Sequence, residues 1–306
     1  MRAVAGPLPP DEGWAFEIKW DGMRAVASIE ERVTLRSVRG NDVGVSYPEL
    51  AGLGEAVGGL EASLDGEIVA VDDDGIPSFS LLQQRMHLTD PAQAAERAAI
   101  QPVVYVIFDL LYLDGREVWR LPYLERRRLL GELVEPGPHW TVPAHRVGGG
   151  AELLEAAQQQ SLEGVVAKRV DRPYEPGRRS PAWRKVKVRH RQEFVVGGWV
   201  PGQGRRHNRI GSLMLGCHDQ GILRWVGNVG TGFTDAELRR WQEQLTTRDQ
   251  CPFDPVPTDT PTARWVDPTR VVEVEFAEWT PEGRLRHASY LGERTDKPAG
   301  EVECSA

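Results

Sequence analysis

Residues 14–24 read WAFEIKWDGMR, and the first seven of them alternate. Trp14, Phe16, Ile18 and Trp20 fall on one side, Ala15, Glu17 and Lys19 on the other. A period of two marks a strand half-buried against a core. The segment is therefore expected to be a strand that shows Glu17 and Lys19 on one face before an Asp21-Gly22 turn. Working outward, further strand-like runs occupy 23–29, 33–37, 62–71, 103–113 and 164–169. The run VVYVIFDLLYL (103–113) is almost continuously apolar, as in a strand buried on both faces. Helical patterns cover 122–134, with Pro122 at the start, and 151–160.

From about residue 192 the texture changes. Short strand candidates at 193–200, 210–217, 222–229 and 270–278 alternate with Gly/Pro/Asn turns. One helix, 234–245, opens with Thr234 and has Glu237 three residues on, which is a capping box. Several short strands with one helix fit a small barrel of the OB-fold kind. The reading is an α+β chain of two domains, 1–190 and 191–306. The 306 residues are 40% hydrophobic and 27% charged, enough apolar material for packed cores. No apolar run approaches the ~18 residues of a membrane span. The N-terminal MRAVAGPLPPDEG lacks the features of a secretory signal. Three widely spaced cysteines (Cys217, Cys251, Cys304) argue against a disulfide framework or zinc site and suit a reducing cytoplasm. The net charge of -8 hides a basic stretch: residues 163–210 hold 13 Lys and Arg against 4 Asp and Glu. Such a stretch on an acidic chain is a local footprint for a polyanion, with a solvated basic surface as the plain alternative.

Six short motifs follow one another along the chain: KWDGMR (19–24), SVRG (37–40), LDGEIV (64–69), VIFDL (106–110), EGVVAK (163–168) and WRKVK (183–187). Each alone has an ordinary structural reading, such as a hairpin for the first or a solvated strand face for the last. In this order they resemble the covalent nucleotidyltransferases, the group of ATP-dependent DNA ligases, RNA ligases and mRNA capping enzymes. The connecting phrases PSFSLLQQR (77–85), FDLLYLDGR (108–116), WVGNVGTGF (225–233) and EFAEWTPEGRLRHASYLGERTDKPA (275–299) are more specific. They resemble the ligase module of bacterial non-homologous end-joining DNA ligases, and the resemblance extends from about residue 12 to 300. It implies an ATP-grasp-like nucleotidyltransferase (adenylation) domain of antiparallel sheets with flanking helices, followed by an OB-fold β-barrel.

The resemblance implies roles residue by residue. Lys19 would be the nucleophile that attacks the α-phosphorus of ATP. Its amine must be neutral to attack, and nearby cations (a metal ion, Lys185 and Lys187) favour that form while stabilising charge on the phosphate. Alternation over 183–188 argues that Trp183, Lys185 and Lys187 point the same way. Glu17 would contact the adenine amino group, Ile18 would border the nucleotide, and Phe108 would stack on the base. Arg24 would lie near the ribose and the nick, and Arg39 would hold a terminal phosphate at the DNA. Glu67 would contact the ribose and assist the metal, and Glu163 would be the principal ligand of Mg²⁺ or Mn²⁺, hard cations that suit oxygen. Arg179 would contact ATP phosphates. Arg294 and Lys297, in RTDK (294–297), would orient the pyrophosphate. Arg205, Arg206 and Arg209 in the loop 202–209 are candidate DNA phosphate contacts, with a plain surface loop as the alternative.

The activity so implied is ATP-dependent sealing of 5′-phosphate/3′-hydroxyl nicks through a lysyl-AMP intermediate, in double-strand break repair. An RNA ligase or capping guanylyltransferase is the alternative within the superfamily. A non-catalytic OB-type nucleic-acid binder is the alternative outside it, and the intact Lys19, Glu67, Glu163, Lys185 and Lys187 speak against that. Nicked double-stranded DNA is the implied substrate and the Ku end-binding protein the implied partner. A monomer in the cytoplasm, associated with the nucleoid and with no membrane contact, is the accompanying expectation.

Overall fold

The computed structural model describes residues 1–202, 209–258, 260–280 and 282–304. The chain divides into two compact units, Met1–Val188 and Arg189–Ala306.

The first unit runs β1 (Arg2–Ala5), β2 (Trp14–Ile18), β3 (Met23–Ile29), β4 (Val33–Ser37) and β5 (Ala62–Ala70), with two 3₁₀ turns before β5. It continues with α1 (Phe79–Gln83), α2 (Pro91–Ile100), β6 (Val103–Leu113), α3 (Tyr123–Leu133), β7 (Trp140–Thr141), β8 (Arg146–Val147), α4 (Gly150–Gln159), β9 (Gly164–Arg169) and β10 (Arg179–Lys187). Two five-stranded sheets result, ordered β1-β10-β9-β2-β8 and β4-β3-β5-β6-β7. All pairs are antiparallel except the edge pairs β1/β10 and β6/β7. The larger core lies on the second sheet, where Leu64, Ile68, Tyr105, Ile107 and Leu110 pack against Leu50, Leu53 and Leu130.

β2 departs from the half-buried strand its alternation suggested. Trp14, Ala15, Phe16 and Glu17 are all buried, so both faces are covered. The reason is α4, which lies so close that a Cβ on Gly150 would stand 2.5 Å from the Phe16 ring. The strand also stops at Ile18, although Lys19 N–H still donates to Gly164 O at 2.8 Å. α1 and α2 were not read from the sequence. α2 is capped by Asp90, whose side chain accepts from Ala92 N–H.

The second unit contains β11 (His190–Pro201), β12 (Ile210–Asp219), β13 (Ile222–Val229), α5 (Asp235–Gln244), β14 (Arg264–Phe276), the short pair β15 (Glu278–Trp279) and β16 (Leu285–Arg286), and β17 (Ser289–Arg294). Its sheet order is β13-β12-β11-β14-β17, antiparallel throughout. No ladder joins the two outer strands among the described residues, but Tyr290 N–H on β17 donates to Thr231 O just beyond β13, at 2.9 Å. This is the five-stranded, partly open arrangement of an OB-fold. β14 begins six residues before the expected 270. The capping box of α5 forms as read: Thr234 Oγ1 accepts from Glu237 N–H at 3.2 Å, and Glu237 accepts from Thr234 N–H at 2.8 Å.

The cysteine reading is overturned. Cys217 and Cys304 form a disulfide, leaving Cys251 free. The two are 87 residues apart in sequence. The C-terminal segment nevertheless runs along β12: His218 N–H donates to Val302 O and Cys304 N–H to His218 O.

Candidate active site

A cavity of about 240 Å³ in the first unit is lined by residues of both its sheets. β2, β9 and β10 supply Glu17 and Ile18, Val166 and Lys168, and Arg179, Trp183 and Lys185. The other sheet supplies Arg24, Glu67 and Phe108, and the connection after β2 supplies Lys19 and Trp20. Nine of the residues singled out from the sequence therefore meet here: Glu17, Ile18, Lys19, Arg24, Glu67, Phe108, Arg179, Lys185 and, as their neighbour, Trp183. Arg2 and Ala3 of β1 complete the rim and were not foreseen.

Lys19 sits at a junction of charges. Its Nζ is hydrogen-bonded to Glu163 Oε2, and Lys187 Nζ reaches Glu163 Oε1 at 2.7 Å. Burial alone would push the Glu163 carboxyl up, but Lys19 and Lys187 prevail and hold it below its ordinary range. The backbone aims Glu163 here for a steric reason. Gly164 has φ +143, and a Cβ on it would lie 2.1 Å from Val186 O, so only glycine lets β9 begin against β10. Glu67 is the opposite case: burial pushes its carboxyl up to about 8, against the pull of Lys19 and Arg24. Lys187 is 40% exposed at its side chain and does not line the cavity, yet shares Glu163 with Lys19.

Arg24 is held by a buried partner. Its Nε and Nη2 donate to Asp65 at 2.9 and 2.6 Å, and Tyr174 Oη donates to the same carboxylate at 2.8 Å. The guanidinium stands 5.5 Å from the ring centres of both Phe108 and Trp183, which meet edge to face at 6.0 Å. Phe108 is thus a half-exposed wall of the cavity and not part of the main core.

The residue the sequence reading passed over is Lys168. It is 1% exposed, donates to Glu17 Oε2 at 2.8 Å, and lies 4.3 Å from the Trp183 ring and 4.6 Å from Phe108. Burial lowers its pKa, against the pull of Glu17. Val166 and Lys168 share one face of β9 by strand periodicity, which could have placed Lys168 in the cavity.

Other candidates lie elsewhere. Arg39 is exposed in the turn after β4 and is absent from the lining. Arg294 and Lys297 belong to the second unit, where both pair with Glu193, at 2.8 and 3.3 Å, and Arg294 also pairs with Asp296. Arg209 is exposed, and Arg205 and Arg206 lie outside the described residues.

Two family models match the chain: the ATP dependent DNA ligase domain over residues 9–187 and the ATP dependent DNA ligase C terminal region over 206–297. The multifunctional non-homologous end joining DNA repair protein LigD of Mycobacterium tuberculosis is 42% identical over 294 residues, covering 94% of this chain and 37% of that protein. A DNA ligase of Thermococcus fumicolans is 32% identical, covering 94% of this chain and 53% of its own length. This chain spans little more than a third of the multifunctional relatives it matches. Among solved structures, the ligase domain of M. tuberculosis LigD aligns with a TM-score of 0.56 at 38% identity, covering 99% of this chain and 97% of that one. A mycobacterial DNA ligase D complexed with ATP aligns with a TM-score of 0.54, also at 38% identity.

Proposed function

This chain belongs to the ATP-dependent DNA ligases, and from that premise we propose that its first-unit cavity binds ATP and that Lys19 becomes adenylylated there. The observation that carries the reading is the contact of Lys19 with Glu163 beside a cavity that also presents Glu17, Glu67, Phe108 and Lys185. In the first step the Lys19 amine attacks the α-phosphorus. A P–N bond forms, the bond to pyrophosphate breaks, and the amine loses its proton. Lys185 and Arg179 flank the cavity and oppose the charge that grows on the phosphate oxygens. AMP then passes to the 5′-phosphate at a nick, and the 3′-hydroxyl displaces it. Glu17 receives the base, Phe108 and Ile18 border it, and Arg24 and Glu67 face the ribose.

Glu163 and Glu67 are the residues that would hold Mg²⁺ or Mn²⁺. Among the described residues no three acidic, His or Cys side chains are grouped so as to hold a metal ion by themselves. Two carboxylates beside a phosphate-binding surface nevertheless fit such an ion, which takes its remaining ligands from phosphate and water. Such an ion would supply positive charge against the phosphate oxygens, with Glu163, now paired with Lys19 and Lys187, as its main carboxylate. Arg39, Arg209, Arg205 and Arg206 are assigned to the DNA backbone. Arg294 and Lys297 are assigned to the departing pyrophosphate, so Arg294→Ala should slow adenylylation more than the sealing of a pre-adenylylated nick. We further assign the chain to end-joining repair of chromosomal breaks, as a monomer working with the Ku end-binding protein on the nucleoid in the cytoplasm. Among the described residues no helix is long and apolar enough to cross a membrane.

The test is incubation with α-labelled ATP and Mg²⁺, then denaturing gel analysis. An acid-labile, alkali-stable adduct that requires metal and disappears in Lys19→Ala is the expected result. A persistent adduct in that variant would move the nucleophile elsewhere, and no adduct in the wild type would overturn the reading.

A further inference from the structure

Glu17 is gripped from behind the cavity it lines. It is 3% exposed. Tyr123 Oη donates to its Oε1, Lys168 Nζ to its Oε2 at 2.8 Å, and Arg127 Nε stands 3.8 Å from Oε1. That Arg127 nitrogen is buried and has no hydrogen-bond acceptor, so its interaction with Glu17 is charge alone. Tyr123 and Arg127 belong to α3, and neither borders the cavity.

Tyr123 is fully buried, edge-on to His145 at 5.9 Å and 5.2 Å from Lys168 Nζ. Burial, reinforced by the charge of Glu17, keeps its phenol far above the ordinary titration range, so the hydroxyl remains a donor. A carboxylate is acceptor-only. With donors fixed on both oxygens, the carboxylate has one orientation, and its unused acceptor capacity is offered to the cavity. An amino group matches that surface; a carbonyl oxygen meets it lone pair to lone pair. Adenine and hypoxanthine differ in just this way at position 6.

We propose that Tyr123 is a positioning residue for base selection, fixing Glu17 so that the cavity accepts a 6-aminopurine nucleotide and rejects a 6-oxopurine one. The proposal rests on the reading of this cavity as the ATP site. Tyr123 acts only through Glu17, so its loss should alter recognition of the base and leave the chemical step intact.

The experiment measures initial rates of adduct formation with α-labelled ATP and α-labelled inosine triphosphate, over a range of concentrations, for the full chain and for Tyr123→Phe. The wild type should prefer ATP. Tyr123→Phe should raise KM for ATP about tenfold with kcat unchanged and inosine triphosphate use little altered, so the preference falls about tenfold. Both nucleotides are compared on one preparation, which makes the ratio independent of the fraction folded. A merely structural tyrosine would lower both rates by one factor, and that result, an unchanged ratio, or equal use of the two nucleotides by the wild type would overturn the proposal. A wild type that forms an adduct with neither nucleotide would instead remove the ATP-site reading beneath it.

Discussion

Arg126 offers a perturbation whose size can be worked out. Both it and Asp109 are wholly buried, and they form two hydrogen bonds, Nε to Oδ1 at 2.6 Å and Nη2 to Oδ2 at 2.9 Å. The remaining nitrogen donates to Leu121 O at 2.6 Å and Arg172 O at 3.2 Å. Arg126→Met would keep much of the volume but leave Asp109 with only the Leu110 N–H at 3.0 Å. An uncompensated buried charge of this kind costs about 3–5 kcal/mol. Replacing both partners by apolar groups costs far less than that, because no charge is stranded. Asp109→Leu/Arg126→Met should therefore be more stable than Arg126→Met alone, although the two carbonyls still lose their donor. At a urea slope of about 2–3 kcal/mol/M, the single variant should unfold about 1–2.5 M earlier. Each unit contains five tryptophans, so fluorescence would mix them. Hydrogen exchange of β6 peptides across a urea series isolates the first unit. A loss under about 1 kcal/mol, or a double variant as unstable as the two single losses added, would refute the claim that stranded charge sets the cost.

Gly22→Ala should slow adduct formation at least ~100-fold, since small misplacements of reacting groups have such effects; its Cβ would lie 2.2 Å from Ile68 O, and the turn carrying Lys19 would have to leave β5. Wild-type rates in a labelling time course would contradict this. Thr234→Ala should destabilise the second unit by about 1 kcal/mol in urea melts, the usual worth of such a cap. Glu237 is held below the ordinary carboxyl value of 4.5, chiefly by the Thr234 N–H. A depressed folded value means its stabilisation is present above pH 4.5 and lost as pH falls through that lower value, so Glu237→Gln should cost less at pH 3 than at pH 7. Alkylation of the unfolded, unreduced protein should label Cys251 alone by mass, and reduction should add two sites; three labels without reductant would exclude the disulfide.

The local code and the tertiary code were unequally visible in the sequence. Motif order singled out Glu17, Lys19, Arg24, Glu67, Phe108 and Lys185, and the structure gathers them around one cavity. Strand-like runs located β3, β4 and β9, and a continuous apolar run located β6, because local side-chain character reports how a strand is covered. Periodicity misjudged β2, because a strand covered on both sides by different partners can still alternate in polarity: Glu17 faces buried cations, not water. The same limit hid α3's role. Tyr123, Arg126, Arg127 and Leu130 form its buried face, yet two arginines in ERRRLL look like a solvated surface until Asp109 and Glu17 are known to lie beneath. Cysteine spacing failed likewise, since the approach of residues 302–304 to β12 is a long-range fact with no local trace.

The pairing of β1 with β10 bears on how such a unit can be shared among longer polypeptides. The unit's first strand and its last run side by side, with Arg2 opposite Arg179 and Ala5 opposite Lys185. Entry and exit therefore lie along one border of one sheet, separated by roughly 20 Å at ~3.3 Å per residue. The entry side is the crowded one: Met1 is buried against Tyr174 and Trp183, and Arg2 and Ala3 stand on the cavity rim. Chain added after β10 leaves from that border without re-threading an interior strand, whereas chain added before β1 starts beside the cavity. Such a layout favours reuse as a cassette from the exit side, because neighbours grafted there leave the register of β2, β9 and β10, and with it the cavity-facing side chains, unchanged.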